Sequence, residues 1–127
     1  MIDALFSEPN YTAAKKMLDA TALRHEAIAS NLANLETPHY QRIDLAPSFA
    51  SELQSAVASR NAARLSELQP TLAVDTSAVA SERDGNTVQL ETELMHLNEN
   101  TLAHTLETQL VTGTLLRVRQ AISGSTT

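Results

Sequence analysis

DGNTVQLETELMHLNENTLAHTLETQLVTGTLLRVRQAI, residues 84–122, carries the pattern of one long amphipathic helix introduced by a turn. Asp84-Gly85 is a turn pair, and Asn86 with Gln89 has the spacing of a capping box, so the helix is expected from about Thr87. Leu90, Leu94, Leu97, Thr101, His104, Thr108, Val111, Leu115, Val118 and Ile122 then return at steps of three or four, the period of a heptad seam. A second row, Leu102, Leu106, Leu110 and Leu116, lies beside the first, and two apolar rows on one helix call for more than one packing partner. Glu91 and Glu93 near the start and Arg117 and Arg119 near the end suit the helix dipole.

The other end of the chain holds a matching segment. From about Asn10 to Asn34 the residues Tyr11, Ala14, Leu18, Thr21, His25, Ile28, Leu32 and Leu35 repeat with the same period. Pro9 and Asn10 supply a start, with Asn10 as the expected N-cap. Pro38 supplies a stop, because the residue before a proline is pushed out of the α region. If the two helices pair through their seams, the second row of the C-terminal helix is left uncovered, and an exposed apolar row marks an interaction site.

The middle has weaker patterning. Ser48 to Leu68 has helical character through Phe49, Leu53, Ala56, Val57, Leu65 and Leu68, and is broken at Ser59-Arg60-Asn61. Tyr40–Leu45 and Thr71–Val74 have room to form short strands. The expected fold class is mainly α. Long N- and C-terminal helices pair as a coiled coil, around an irregular middle segment with a short helix or hairpin. The expected division is a helical assembly unit of residues 1–36 and 84–127 and a middle segment of residues 37–83.

Composition removes several functions. The net charge is −6 and the nine basic residues do not cluster, which disfavours nucleic acid and anionic membrane surfaces. Aromatic residues make up 3% of the chain, too few to line a small-molecule pocket of the usual kind. There are no cysteines, hence no disulfides and no thiolate chemistry. The N-terminus, MIDALFSEPN, has neither the basic nor the long apolar region of a cleaved secretory signal.

No catalytic, cofactor or metal site is expected. His25 and His104 fall on the seams, where they are either metal ligands or pH-sensitive groups, or polar residues that set helix register. His96 and His104 are eight residues apart, too far for the ligand pair of a zinc helix. Glu91 and Glu93 project to different sides of their helix and cannot share a substrate. Three glycines in the whole chain leave no phosphate-binding loop.

The stretch SNLANLETPHY, residues 30–40, ends a helix in asparagines and runs into Thr-Pro and an aromatic. Ala29, Asn31, Ala33, Asn34, Thr37, Pro38 and Tyr40 match A-x-N-x-A-N-x-x-T-P-G-Y, and on these residues the chain resembles the bacterial flagellar rod, hook and axial protein family. Asp84, Gly85, Asn86, Val88, Leu90 and Glu91 match the D-G-N-x-V-x-L-E segment of its short proximal-rod branch. His39 stands where that family has glycine, so a positive φ at this turn is costlier here.

The resemblance implies a structural subunit of the flagellar basal body, exported without a cleaved signal peptide and not an enzyme. It implies no cofactor. The partners would be further copies, other rod proteins, a FliE-like adaptor and the export gate. The expected assembly residues are Leu18, His25, Ile28, Leu32, Leu35, Leu94, Leu97, His104, Val111, Leu115, Val118 and Ile122. Two other readings fit the composition: a cytoplasmic helical adaptor or export chaperone, and a small helical-bundle ligand-binding protein or enzyme.

Overall fold

A computed structural model describes residues 9–81 and 83–124. The reading of the N-terminus as lacking a signal, and the outer ends of the expected helical unit, fall largely on residues 1–8 and 125–127, outside the described residues. In chain order the elements are α1 (Pro9–Ala33), β1 (Ile43–Leu45), α2 (Ser48–Ala58), α3 (Ala62–Glu67), β2 (Leu72–Val74) and α4 (Leu90–Ser123).

The two terminal helices pair, as expected. They run antiparallel: Asn31 at the end of α1 meets Glu93 at the start of α4, and Thr21 meets Asn100 and Glu107 further along. The seam itself differs from the apolar pattern. Leu97, His104, Val111 and Val118 belong to it, but the positions between them are Glu93, Asn100 and Glu107. The expected Leu94, Thr101, Thr108 and Leu115 face outward. The heptad is thus rotated by one residue, and its alternate positions are polar. Polar side chains are tolerated there because each has a hydrogen-bond partner; among the described residues no buried side-chain nitrogen or oxygen lacks one.

Both helix starts also differ from expectation. α1 already includes Pro9, a residue suited to a first turn, so Asn10 lies inside the helix instead of capping it. α4 begins at Leu90, after an extended Gln89, so Asp84, Gly85 and Asn86 precede the helix without capping it. Asn86 is held elsewhere, as described below.

The middle segment is more regular than its sequence suggested. β1 and β2 pair antiparallel, Ile43 opposite Val74 and Leu45 opposite Leu72. α2 ends at Ala58 with Ser59 as its C-cap, the chain turns through Arg60 at φ 50°, and Asn61 caps α3 by accepting the Arg64 N–H at 3.0 Å. This segment folds back onto α1 and supplies the apolar core. Phe49, Leu53, Ala56, Leu65 and Leu68 pack with Ala13 and Ala20, whose small side chains let α2 and α3 come close. Each buried Leu or Phe contributes about 1.5–3 kcal/mol.

Candidate functional site

The turn after α1 and the segment before α4 form two halves of one polar lock. Asn31, on the last turn of α1, is fully buried. Its Nδ2 donates to the Ile43 carbonyl at 2.8 Å and to Glu93 at 3.2 Å, and its Oδ1 accepts the Ile43 N–H at 3.0 Å. The Tyr40 hydroxyl also donates to Asn31 Oδ1, at 3.4 Å, and lies 3.1 Å from Ser30 Oγ. Asn34 closes the turn: its Nδ2 donates to the Ser30 carbonyl and its Oδ1 accepts the Thr37 hydroxyl. Pro38 is exposed and acts through the backbone, holding Thr37 out of the helical region.

Asn86 reaches across to this turn. Its Nδ2 donates to the carbonyls of Asn34, Leu35 and Thr37 at 2.8, 3.1 and 2.8 Å, and its Oδ1 accepts the Val88 N–H. The Asp84 carbonyl accepts the His39 N–H and the Tyr40 carbonyl accepts the Thr87 N–H. Carbonyls of the turn after α1 are therefore bound by a residue about fifty positions away, while those of Ser30 and Asn31 on the helix's last turn are met by Asn34. His39 adopts φ 60° and keeps the left-handed turn without being glycine. Gly85, at φ 76°, faces it; a Cβ there would lie 2.8 Å from His39 Nδ1.

Beside this lock sits an ion cluster centred on Arg42. Its guanidinium donates from Nε to Glu93, from Nη1 to Asp75 at 2.7 Å and from Nη2 to Asp44 at 2.9 Å. Arg24 on α1 adds a bond to Asp44 at 2.9 Å and one to His96 Nδ1 at 3.2 Å. His96 Nδ1 also lies 3.4 Å from Glu99 Oε2. One guanidinium thus ties the hairpin, through Asp44 and Asp75, to α4 through Glu93. Burial works against the charge on Arg42, and the bonds to Asp44 and Glu93 outweigh it, so its pKa is raised. Burial also opposes ionisation of Asp44, but Arg24, the Leu45 N–H and Arg42 hold its carboxyl below the usual value. Asp75 is lowered too, first by the Ser77 hydroxyl and then, against some burial, by the Ser77 N–H and Arg42.

Further along α4 the seam is uncharged in its surroundings. Thr21 Oγ1 donates to Glu107 at 2.8 Å and lies 3.1 Å from His104 Nδ1, while Asn100 donates to the Thr21 carbonyl at 2.9 Å. Burial raises the Glu107 carboxyl, and Thr21 and His104 offset this only in part. His25 points to the surface. Among the described residues no group of three or more His, Cys, Asp or Glu could hold a metal ion.

The structure divides the expected assembly residues. Ile28 and Val118 are buried, Leu18, Leu32, Leu35, Leu97 and Val111 are half-buried, and His25, Leu94, His104, Leu115 and Ile122 are exposed. The second row is open: Leu102, Leu106 and Leu110 are 63, 53 and 61% exposed, and Leu116 is exposed as well. Sequence patterning missed Arg42, Asp44 and Asp75. One available signal was the recurrence of Glu93, Asn100 and Glu107 at intervals of seven, a heptad position in polar residues.

No family model matches the chain. Among curated proteins it is similar to the flagellar basal body rod protein FlgB of Borrelia hermsii, at 27% identity over 76% of this chain and 83% of the relative. It is also similar to the protein of the same name from Cereibacter sphaeroides, at 31% identity over 80% of this chain and 84% of the relative.

Proposed function

Because the chain belongs to the family of flagellar basal body rod proteins named FlgB, we propose that it builds the rod by open-ended self-assembly around the export channel and transmits torque. The membership itself makes it a structural protein of the basal body rod that works with other rod proteins. The observation that carries the finer reading is the leucine row of α4, exposed on a helix whose other face is already locked to α1. A subunit finished on one side and apolar on the other is suited to joining neighbours by burying that face. The lock at Asn31, Asn34 and Asn86 supports a mechanical role, since it fixes the two helices as one stiff unit.

A FliE-like adaptor and the export gate are the proposed neighbours at the cell-proximal end, with export that needs no cleaved signal. Residues 9–36 and 84–124 serve as the assembly unit, and the middle segment braces α1. The non-enzymatic reading fits buried charged groups that, among the described residues, are each engaged: Arg42 and Glu93 with one another, and Glu107 with Thr21.

Deleting the gene and isolating basal bodies tests this. Loss of motility together with basal bodies that lack a rod is expected. A motile cell with an intact flagellum would overturn it.

A further inference from the structure

A groove of ≈ 650 Å³ runs between α1, α2 and α4, its walls formed chiefly by Met17, Phe49, Ala50, Leu53, Gln54 and Val57. Two charged residues reach it, and both are engaged: Arg24 with Asp44, and Glu107 with Thr21. The rim contributed by α2 is Ala50, Gln54 and Ala58, small or neutral and spaced one turn apart. Solvent-facing helices usually carry charge along such a rim, and charge is depleted where a protein surface is covered by another.

The exposed side of α4 has the same character. From Asn100 to Leu116 there is one charged residue, Glu107, and it faces α1. Four of the five threonines on that stretch are turned to their own helix: Thr101, Thr105, Thr108 and Thr114 each donate the hydroxyl to the carbonyl four residues back. Their hydroxyls are satisfied without water, so the surface around Leu102, Leu106 and Leu110 is less polar than its composition suggests.

The two surfaces match in size and differ in direction. α2, one wall of the groove, is roughly 16 Å long, and the row from Leu102 to Leu110 runs roughly 12 Å. Leu102 lies nine residues after Glu93, about half a turn round the helix from the seam that faces α1. The groove opens beside that seam, so one molecule carries the row and the groove on different sides. We propose that the Leu102–Leu106–Leu110 row of one copy seats in the Met17–Phe49–Leu53 groove of the next. With a row on one side and a groove on another, the contact is head-to-tail and leaves one of each free at the ends. This rests on the rod reading above and names the contact that reading requires.

The cysteine-free chain allows a direct test. Cells would carry Met17→Cys with Leu106→Cys, both at exposed positions, and isolated basal bodies would be treated with a short bifunctional maleimide. Most of the monomer band should shift to a ladder of dimers, trimers and larger species. The pair Glu36→Cys with Leu106→Cys, with Glu36 exposed on the turn after α1, should give no ladder. If the first pair is not incorporated, Ala50→Cys with Leu110→Cys serves the same purpose.

Incorporation into basal bodies without a ladder overturns the contact and leaves the rod reading standing. So does a ladder of equal strength from the Glu36 pair, or a cross-linked band that contains a different protein. If the wild-type chain is absent from basal bodies, the rod reading fails and the contact with it.

Discussion

Glu93 and Glu107 lie on the same face of α4, fourteen residues apart, and both are buried against α1. Their surroundings differ. Glu93 meets a guanidinium and an asparagine, within a cluster that also holds Asp44, Asp75 and Arg24. Glu107 meets a threonine hydroxyl, with an imidazole beside it. The first end of the helix pair is therefore fastened by charge, and the far end by hydrogen bonds in apolar surroundings. Burial alone does not decide what a buried acid does; the nearest partner does.

The largest test of that contrast is Arg42→Ala. It strands Glu93, which is 0% exposed, while Asp44 keeps Arg24, and should cost about 3–5 kcal/mol in urea unfolding. Replacing both members of the central pair, Arg42→Met with Glu93→Leu, should cost clearly less than the single change, because no fully buried charge is then left unpaired; Asp75 loses Arg42 but is partly exposed and keeps Ser77. Equal losses would mean that the cluster is not the fastening. The neighbouring lock is next in size. Asn86→Ala takes the side-chain donor from three turn carbonyls, of which Asn34 and Thr37 keep a backbone N–H and Leu35 does not, and should cost about 1–3 kcal/mol, read from the shift in urea midpoint.

The pH dependence should have opposite signs at the two ends. Asp44 and Asp75 have folded pKa values below their usual 3.8, so their stabilisation is present above that value and is lost as pH falls through the lowered ones. Glu107 has a folded pKa above its usual 4.5, so its contribution is full below that value and fades as pH rises through the raised one. Glu107→Gln should therefore gain on the wild type as pH rises toward neutrality, by about 1 kcal/mol or less. Urea midpoints for both proteins across pH would check it; a gap that moves the other way contradicts the assignment.

The smallest expected effect lies at the turn. His39→Gly removes a left-handed histidine, a gain of about 1–2 kcal/mol, offset by about 0.5–1 kcal/mol for the freer unfolded chain. Gly85→Ala should destabilise more beside His39 than beside glycine, since the new Cβ would meet the imidazole. A double-mutant cycle measures that difference, and additivity would show that the two positions do not touch.

Much of this architecture was legible in single segments. The open leucine row followed from counting apolar residues at helical spacing, and the two strands and the break at Ser59-Arg60-Asn61 followed from local chemistry. The seam was not. Apolar counting favours Leu94 and Leu115 over Glu93 and Glu107, and the choice is reversed by Arg42 and Thr21, which lie far away in the chain. The start of α4 was misplaced for the same reason. Asn86 is a good cap, but three carbonyls of the distant turn hold it. A segment read alone shows which side chains are polar, not which distant group will satisfy them.

The scarcity of charge between Asn100 and Leu116 sets how any contact made there responds to its medium. Ionic strength screens charged contacts and leaves this one untouched, so association through α4 should hold from dilute buffer to high salt. Cooling should loosen it, because apolar burial weakens at low temperature. A joint of this kind, in contrast to the ion cluster that holds each subunit's own hairpin to α4, keeps its grip whatever the salinity of the surroundings.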